Sequence, residues 1–242
     1  MRLSPIALVG TLGCLSLSGP TAEVPEGGTV LFVGNSLTYA NDLPQIVEAL
    51  SAGGTQAIEA RMVAFPDFSL DDHVSRGDAM AAIRRGGWTT VVLQQGPSTL
   101  PENRAQLRVS AKRFAAEVSK VGGRTALYAV WPAQHRAADF PAADESYALA
   151  AADVDGILLP VGEAWRAAWR RDPNIPLYAA DGLHPSATGS YLAGLVIAGR
   201  LTGRSPVGMP RDLRLAGGGR IEMPAALAAT LQEAAAEALA SR

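Results

Sequence analysis

Two short stretches carry residues whose types and spacing can do chemistry together. One is Val33-Gly34-Asn35-Ser36, directly after an apolar run; the other is Asp181-Gly182-Leu183-His184-Pro185. A serine alcohol is a weak nucleophile until a base takes its proton. A neutral imidazole needs a carboxylate to fix its tautomer and to stabilise the imidazolium. Ser36, His184 and Asp181 supply those three groups. The three-residue spacing lets the Asp181 carboxylate reach one ring nitrogen of His184 while the other faces outward. The chemistry expected of such a set is nucleophilic attack on an acyl carbon. Quieter roles suit the same residues. A serine after a strand is a common turn residue, and an Asp–His pair ahead of a helix can simply cap it.

The chain has three histidines, so the rivals for the base are His73 and His135. His73 falls in a helical stretch after Ser69 and reads as a packed or surface residue. His135 follows Trp131-Pro132 on a loop and reads as solvated, or as pocket lining. Asp71-Asp72-His73 hints at a metal, but adjacent carboxylates on a helix point to different faces and no matching ligand cluster accompanies them. Gly217-Gly218-Gly219 lacks the strand–helix context of a phosphate loop and reads as a flexible connection. Glu163 and Trp165 read as a surface or pocket-rim pair. Trp131, Trp165 and Trp169 suit a sugar-binding cleft, although core packing is the default for large aromatics. No cofactor and no metal are expected.

Those residues need elements to position them. Five short apolar runs read as strands: Thr29–Val33, Ile58–Ala64, Thr89–Gln94, Thr125–Val130 and Gly156–Leu159. Their near-continuous apolar character predicts strands covered on both faces. Between them lie helical stretches. Asp42 is placed to cap a helix over Leu43–Ser51, with Pro44 in its first turn. Ser69, with Asp72 three residues on, caps a second that carries Met80, Ala81 and Ile83 toward the core. A long helix is expected over Asn103–Val121, stopped by Gly122-Gly123. Others are expected over Ala142–Ala151, over Val161–Arg170, and from Ser186 through Tyr191, Leu192, Leu195 and Val196. Ser205–Glu222 is rich in Gly, Pro and Arg, and Ala225–Ala240 forms a closing alanine-rich helix. Alternation of this kind predicts a flavodoxin-like three-layer α/β/α sandwich on a five-stranded parallel sheet. Ligands then gather beyond the carboxyl ends of the strands, with Ser36, Gln95 and the loop after Val130.

Composition bounds the rest. The 242 residues are 48% hydrophobic, enough for a substantial core, and the formal net charge of −2 offers no basic field to nucleic acid. A single cysteine, Cys14, excludes intramolecular disulfides, zinc fingers and redox pairs. Arg2 and the apolar stretch Ile6–Leu17, too short to span a bilayer, read as a secretory leader with a cleavage region at Gly19-Pro20-Thr21-Ala22. Thr11-Leu12-Gly13-Cys14 partly resembles a bacterial lipobox, which would make Cys14 a lipid anchor. A plain N-terminal helix is the alternative. The expected organisation is a leader over residues 1–22 and one domain over 23–242. The domain is expected to be exported to the periplasm or cell exterior, with no transmembrane segment beyond the leader.

The order of the motifs, an early serine and then a closely spaced Asp and His, resembles the SGNH/GDSL esterase and lipase superfamily. Gly34-Asn35-Ser36-Leu37-Thr38-Tyr39-Ala40-Asn41-Asp42-Leu43-Pro44 is similar to one of its bacterial branches, and Pro185, Gly189 and Tyr191 extend the match downstream. The resemblance implies a serine esterase with Ser36 as nucleophile, His184 as base and Asp181 as its orienter. It also implies an oxyanion hole built from the nucleophile's own N–H, a glycine N–H and an asparagine side chain. Here the chain departs from the pattern. Phe65-Pro66-Asp67-Phe68-Ser69-Leu70 has no glycine, which leaves the backbone N–H of Phe68 or Ser69. Leu93-Gln94-Gln95-Gly96-Pro97-Ser98 has no Gly-x-Asn-Asp, which leaves the Gln95 carboxamide as donor. Asn35 joins these as an oxyanion or substrate contact. Gln94 is expected to face a helix layer or cap the strand. The substrate implied is a short-chain or carbohydrate O-acetyl ester. An O-acetyltransferase is a close variant, and a catalytically weak carbohydrate-binding protein the alternative.

Overall fold

The computed structural model describes Met1, residues 28–54 and residues 56–241. Cys14 and the leader expected over residues 1–22 lie outside the described residues, apart from Met1.

The five expected strands form one all-parallel sheet in the order β2-β1-β3-β4-β5. They are β1 (Gly28–Gly34), β2 (Ile58–Ala64), β3 (Thr90–Leu93), β4 (Arg124–Tyr128) and β5 (Ile157–Leu159). On one face pack α2 (Leu43–Ser51), α7 (Val161–Arg171), α8 (Ala187–Thr202) and α9 (Ala225–Ala240). On the other pack α3 (Leu70–Arg76), α4 (Asp78–Arg84), α5 (Pro101–Lys120) and α6 (Phe140–Ala152). This is the three-layer α/β/α sandwich, with β1 and β3 as the central strands. Both are sealed from water: Val30 to Val33 and Val91 to Leu93 are all buried. The apolar run of each follows from that burial on two faces.

The strand order reverses at β1, because the chain leaves it for β2 on one side and then returns to β3 on the other. A crevice therefore opens beyond the carboxyl ends of β1 and β3. The register sets Val33 beside Leu93, so the residues after each strand, Asn35-Ser36 and Gln94-Gln95, emerge at the same level.

Four local expectations need correction. The helix after Ser69 is two helices, broken at Gly77, whose φ of 90° is the left-handed conformation glycine tolerates. Ala81 is exposed there, while Met80 and Ile83 are buried as expected. Asp42 makes no side-chain cap bond to α2, because Asn41 and Asp42 both sit in left-handed turn geometry with φ of 53° and 55°. Residues 205–222 hold a small antiparallel hairpin, β6 (Asp212–Arg214) and β7 (Arg220–Glu222), and the triple glycine is part of its turn, with Gly218 at φ 86°. Among the described residues no helix is long and apolar enough to cross a membrane.

Candidate active site

Ser36 opens α1 (Ser36–Tyr39), a four-residue helix. Asn35 is its N-cap, and Asn35 Oδ1 accepts the Leu37 N–H at 3.1 Å. Ser36 is half-buried and lines a cavity of about 390 Å³. Phe68, Ser69, Gln95, Ser98, Arg136 and Leu183 are among the other residues of its wall. A turn this short aligns few peptide dipoles, so the helix adds little to anion stabilisation beyond the Ser36 N–H itself.

The second stretch forms a tight loop ahead of α8. His184 Nδ1 lies 2.6 Å from Asp181 Oδ2, and Asp181 Oδ1 accepts the backbone N–H of Leu183 and of His184 at 2.9 Å each. The hydrogen bond from His184, with the two backbone N–H groups, holds the Asp181 carboxyl down at about 2, so it is ionised at neutral pH. A carboxylate accepting at Nδ1 puts the proton on that nitrogen and leaves Nε2 with a lone pair able to accept one. The helix expected after this loop is capped instead by Ser186, whose Oγ accepts the Gly189 N–H. Asp181 is therefore not the cap.

Several contacts hold this loop against the rest of the site. Trp131 Nε1 donates to Leu183 C=O at 3.0 Å, Gln134 N–H donates to Gly182 C=O at 2.8 Å, and Tyr178 hydroxyl donates to Pro132 C=O at 2.6 Å. Trp131 is itself stacked on Trp165 at 3.8 Å, and both rings are fully buried, which settles them in the core rather than in a cleft. Trp169 is half-buried and donates from Nε1 to Ile175 C=O. Glu163 pairs with Arg166 and Arg170 rather than lining the cavity.

The link that sequence reasoning missed is Asn41. Its Nδ2 donates to Pro185 C=O and to Ser190 Oγ, both at 2.9 Å, tying the segment after Ser36 to the residue after His184. An asparagine at a left-handed position beside Asp42 was the available signal, since such residues are selected for turn geometry. Ser36 and Leu183 share one cavity, but among the described residues no hydrogen bond joins Ser36 Oγ to His184.

The expected oxyanion donors fare unequally. Ser69 N–H is engaged by Asp72 Oδ2 at 2.8 Å in a capping box on α3, because Ser69 is the N-cap of that helix. Phe68 N–H makes only a long bond of 3.4 Å to Phe65 C=O. Gln95 is buried in the cavity wall; its Oε1 accepts Leu70 N–H at 3.0 Å and its Nε2 donates to Ser98 Oγ at 2.8 Å. One N–H of that carboxamide is thus left for a ligand. Asn35 spends its side chain on the turn, donating from Nδ2 to Phe68 C=O at 3.0 Å. Gln94 caps no strand end: it is fully buried and bonded to Asn35 and Thr38.

The rival histidines lie elsewhere. His73 is buried between Phe65 and Phe68 and donates from Nε2 to Gly34 C=O at 2.8 Å, so it braces the turn that leads to Ser36. Its pKa is lowered, chiefly by burial. Its acidic neighbours have protein partners: Asp72 serves the α3 cap and Asp71 pairs with Arg113. His135 is exposed on the 3₁₀ turn Gln134–Asp139.

A protein from Slackia heliotrinireducens, named as a candidate SGNH hydrolase, is 30% identical over 72% of this chain and 99% of its own, with a TM-score of 0.61. A DUF4886 family protein from Bacteroides uniformis is 17% identical, covering 88% of this chain and 95% of its own at a TM-score of 0.67. A catalytic mutant of an acetylxylan esterase from Geobacillus stearothermophilus is 14% identical, covering 75% and 96% at 0.54. The last two likenesses are of fold alone. No protein-family model matches the sequence, and no curated protein matches it significantly.

Proposed function

Because this chain belongs to the SGNH hydrolase superfamily, we propose that it is a serine esterase cleaving a carboxylic ester through an acyl-enzyme. Ser36 Oγ attacks the ester carbonyl as His184 Nε2 takes its proton, and Asp181 holds the imidazolium. The tetrahedral oxyanion draws on Ser36 N–H and the free N–H of Gln95. Collapse expels the alcohol, which takes the proton from His184. Water then enters and gives a proton to His184 as its oxygen attacks the acyl carbon; cleavage of the bond to Ser36 Oγ releases the acid, and His184 returns the proton to Ser36. The observation that carries this reading is the 2.6 Å contact of His184 Nδ1 with an Asp181 carboxylate already fixed by two backbone N–H groups. The two backbone bonds are those of an Asx turn and fix the carboxylate; the added contact with the ring is what a base needs.

The cavity wall bears on substrate. Ser98, Thr99, Asn103, Gln106 and Arg136 make one side polar. A short acyl group on a hydroxyl-rich alcohol, such as a carbohydrate O-acetyl ester, fits that lining. An acceptor sugar in place of water would give the acetyltransferase variant. The domain doing this work spans residues 23–242, exported behind a leader over 1–22, as a soluble protein or anchored through Cys14.

The test is hydrolysis of p-nitrophenyl esters of increasing chain length, with Ser36→Ala as control. Acetate and butyrate esters are expected to turn over faster than octanoate, and Ser36→Ala to abolish release. Release no greater than that of Ser36→Ala would replace the esterase with a carbohydrate-binding protein on the same fold.

A further inference from the structure

We propose that Gln94 is a positioning residue of the Ser36 turn: by holding Asn35 N–H, Asn35 Oδ1 and the Thr38 hydroxyl it fixes Asn35, which engages the N–H groups of Leu37, Thr38 and Tyr39 and leaves Ser36 N–H as the open backbone donor. The inference rests on the esterase reading only for what that donor acts on.

Gln94 follows β3 and is 0% exposed. A carboxamide offers two acceptor lone pairs and two donor hydrogens, and here all four are used. Oε1 accepts Asn35 N–H at 2.9 Å and Thr38 Oγ–H at 2.6 Å. Nε2 donates to Asn35 Oδ1 at 2.9 Å and to Gln95 C=O at 2.6 Å. Asn35 extends the arrangement: Oδ1 also takes Leu37 N–H at 3.1 Å, and its C=O takes Thr38 N–H at 2.9 Å and Tyr39 N–H at 3.2 Å.

From residue 35 to residue 39, every backbone N–H but one therefore has an acceptor. The exception is Ser36, which as the first residue of α1 has no intrahelical acceptor and which lines the cavity. A developing oxyanion is stabilised by donors that are already oriented and not otherwise engaged. Four satisfied bonds in a dry setting make the Gln94 carboxamide costly to displace, so the turn is held before substrate arrives. Glutamate at this position would lack the donor, and a shorter amide would not span from β3 to Asn35. Gly34 completes the fit, because a Cβ there would collide with Thr38 Oγ1 and Gln94 Oε1.

Amide hydrogen exchange in the full chain reads the turn without turnover, and kinetics on p-nitrophenyl acetate read its consequence. In the native protein, Ser36 N–H is expected to exchange at least about tenfold faster than Asn35 and Leu37 N–H, since those two are bonded. Gln94→Met keeps the length and apolar bulk. It is expected to expose Asn35 N–H and to lower kcat by about 10- to 100-fold with KM within about threefold, the signature of an interaction made in the transition state. Gln94→Glu, nearly isosteric and still an acceptor for Asn35 N–H, is expected to retain that protection and lose less kcat than Gln94→Met. Equal protection of all three N–H groups would overturn the proposal, and so would folded Gln94→Met with unchanged kcat. Should Gln94→Met fail to fold, a folded Gln94→Glu that loses Asn35 N–H protection yet keeps full kcat overturns it. A native protein that turns over no ester, yet shows Ser36 N–H alone unprotected, overturns the esterase reading and supports the selected turn.

Discussion

Asp181 and His184 are neighbours in sequence, and the chemistry expected of them depends on one oxygen being free for the ring. Asp181 Oδ1 is saturated by backbone N–H groups, so Oδ2 is left for Nδ1. Asp181→Asn keeps the shape but presents an amide that favours the wrong tautomer, and kcat is expected to fall by about 10² to 10⁴. The folded pKa of Asp181, about 2, lies below the ordinary aspartate value of 3.8. A lowered carboxylate contributes stability that is complete above the unfolded value and fades as pH falls toward the folded one. A carboxyl-carbon NMR titration of Asp181 should therefore show protonation near pH 2, and a midpoint near 4 would contradict the contact with His184. Gln95 offers the second test at this scale. Gln95→Ala is expected to lower kcat about 10²-fold with KM little changed. Gln95→Glu keeps an acceptor for Leu70 N–H but has no N–H to offer, so it should be as impaired as Gln95→Ala. Full activity in Gln95→Glu would reduce Gln95 to a wall residue.

Two elements far apart in the chain must be held in register for the site to exist, and Asn41 ties them. The segment joining α1 to α2 reaches the loop before α8 through its two side-chain bonds. Asn41→Gly preserves the left-handed backbone and removes both bonds. Activity on p-nitrophenyl acetate is expected to fall about tenfold or more, since displacement by about 1 Å is worth up to 10² in rate. Thermal midpoint should change little by comparison. Gly34→Ala acts oppositely, on the fold: its Cβ would meet Thr38 Oγ1 and Gln94 Oε1 in a buried turn. A loss of about 1–3 kcal/mol is expected for such overpacking, measured by denaturant unfolding.

At the scale of the molecule, the sheet decides where chemistry can happen. The reversal of strand order at β1 opens a crevice between the ends of β1 and β3, and the loop before α8 that holds Asp181 and His184 reaches the same edge through Leu183. Removing residues 1–22 is expected to leave this arrangement and its activity intact, because the central strands and helices all lie within 28–241. In an exporting host the mature protein is expected to begin at Glu23, read by N-terminal mass spectrometry; a lipid-modified N-terminal Cys14 would establish the anchored form instead.

Much of this was legible along the chain because it depends on local chemistry. Apolar runs under cover on both faces, the Ser69–Asp72 capping box and the three-residue step from Asp181 to His184 are each set within a few residues, and each lies where the sequence implied. The break at Gly77 was less visible, since one glycine inside an amphipathic stretch looks tolerable until its φ turns positive. Other features were decided by contacts between distant segments. Gln94 and Gln95 are adjacent and chemically identical, yet just past the end of β3 one is bonded into the Ser36 turn and the other lies in the cavity wall. Ser69 N–H looked free in sequence and is claimed by its own helix cap. Asn41 gains its role only because folding brings Pro185 and Ser190, more than a hundred residues later, within 2.9 Å. Residue types and short spacings specify what chemistry is available, while the direction of each side chain and the partner that satisfies it are set only when the sheet closes the distance.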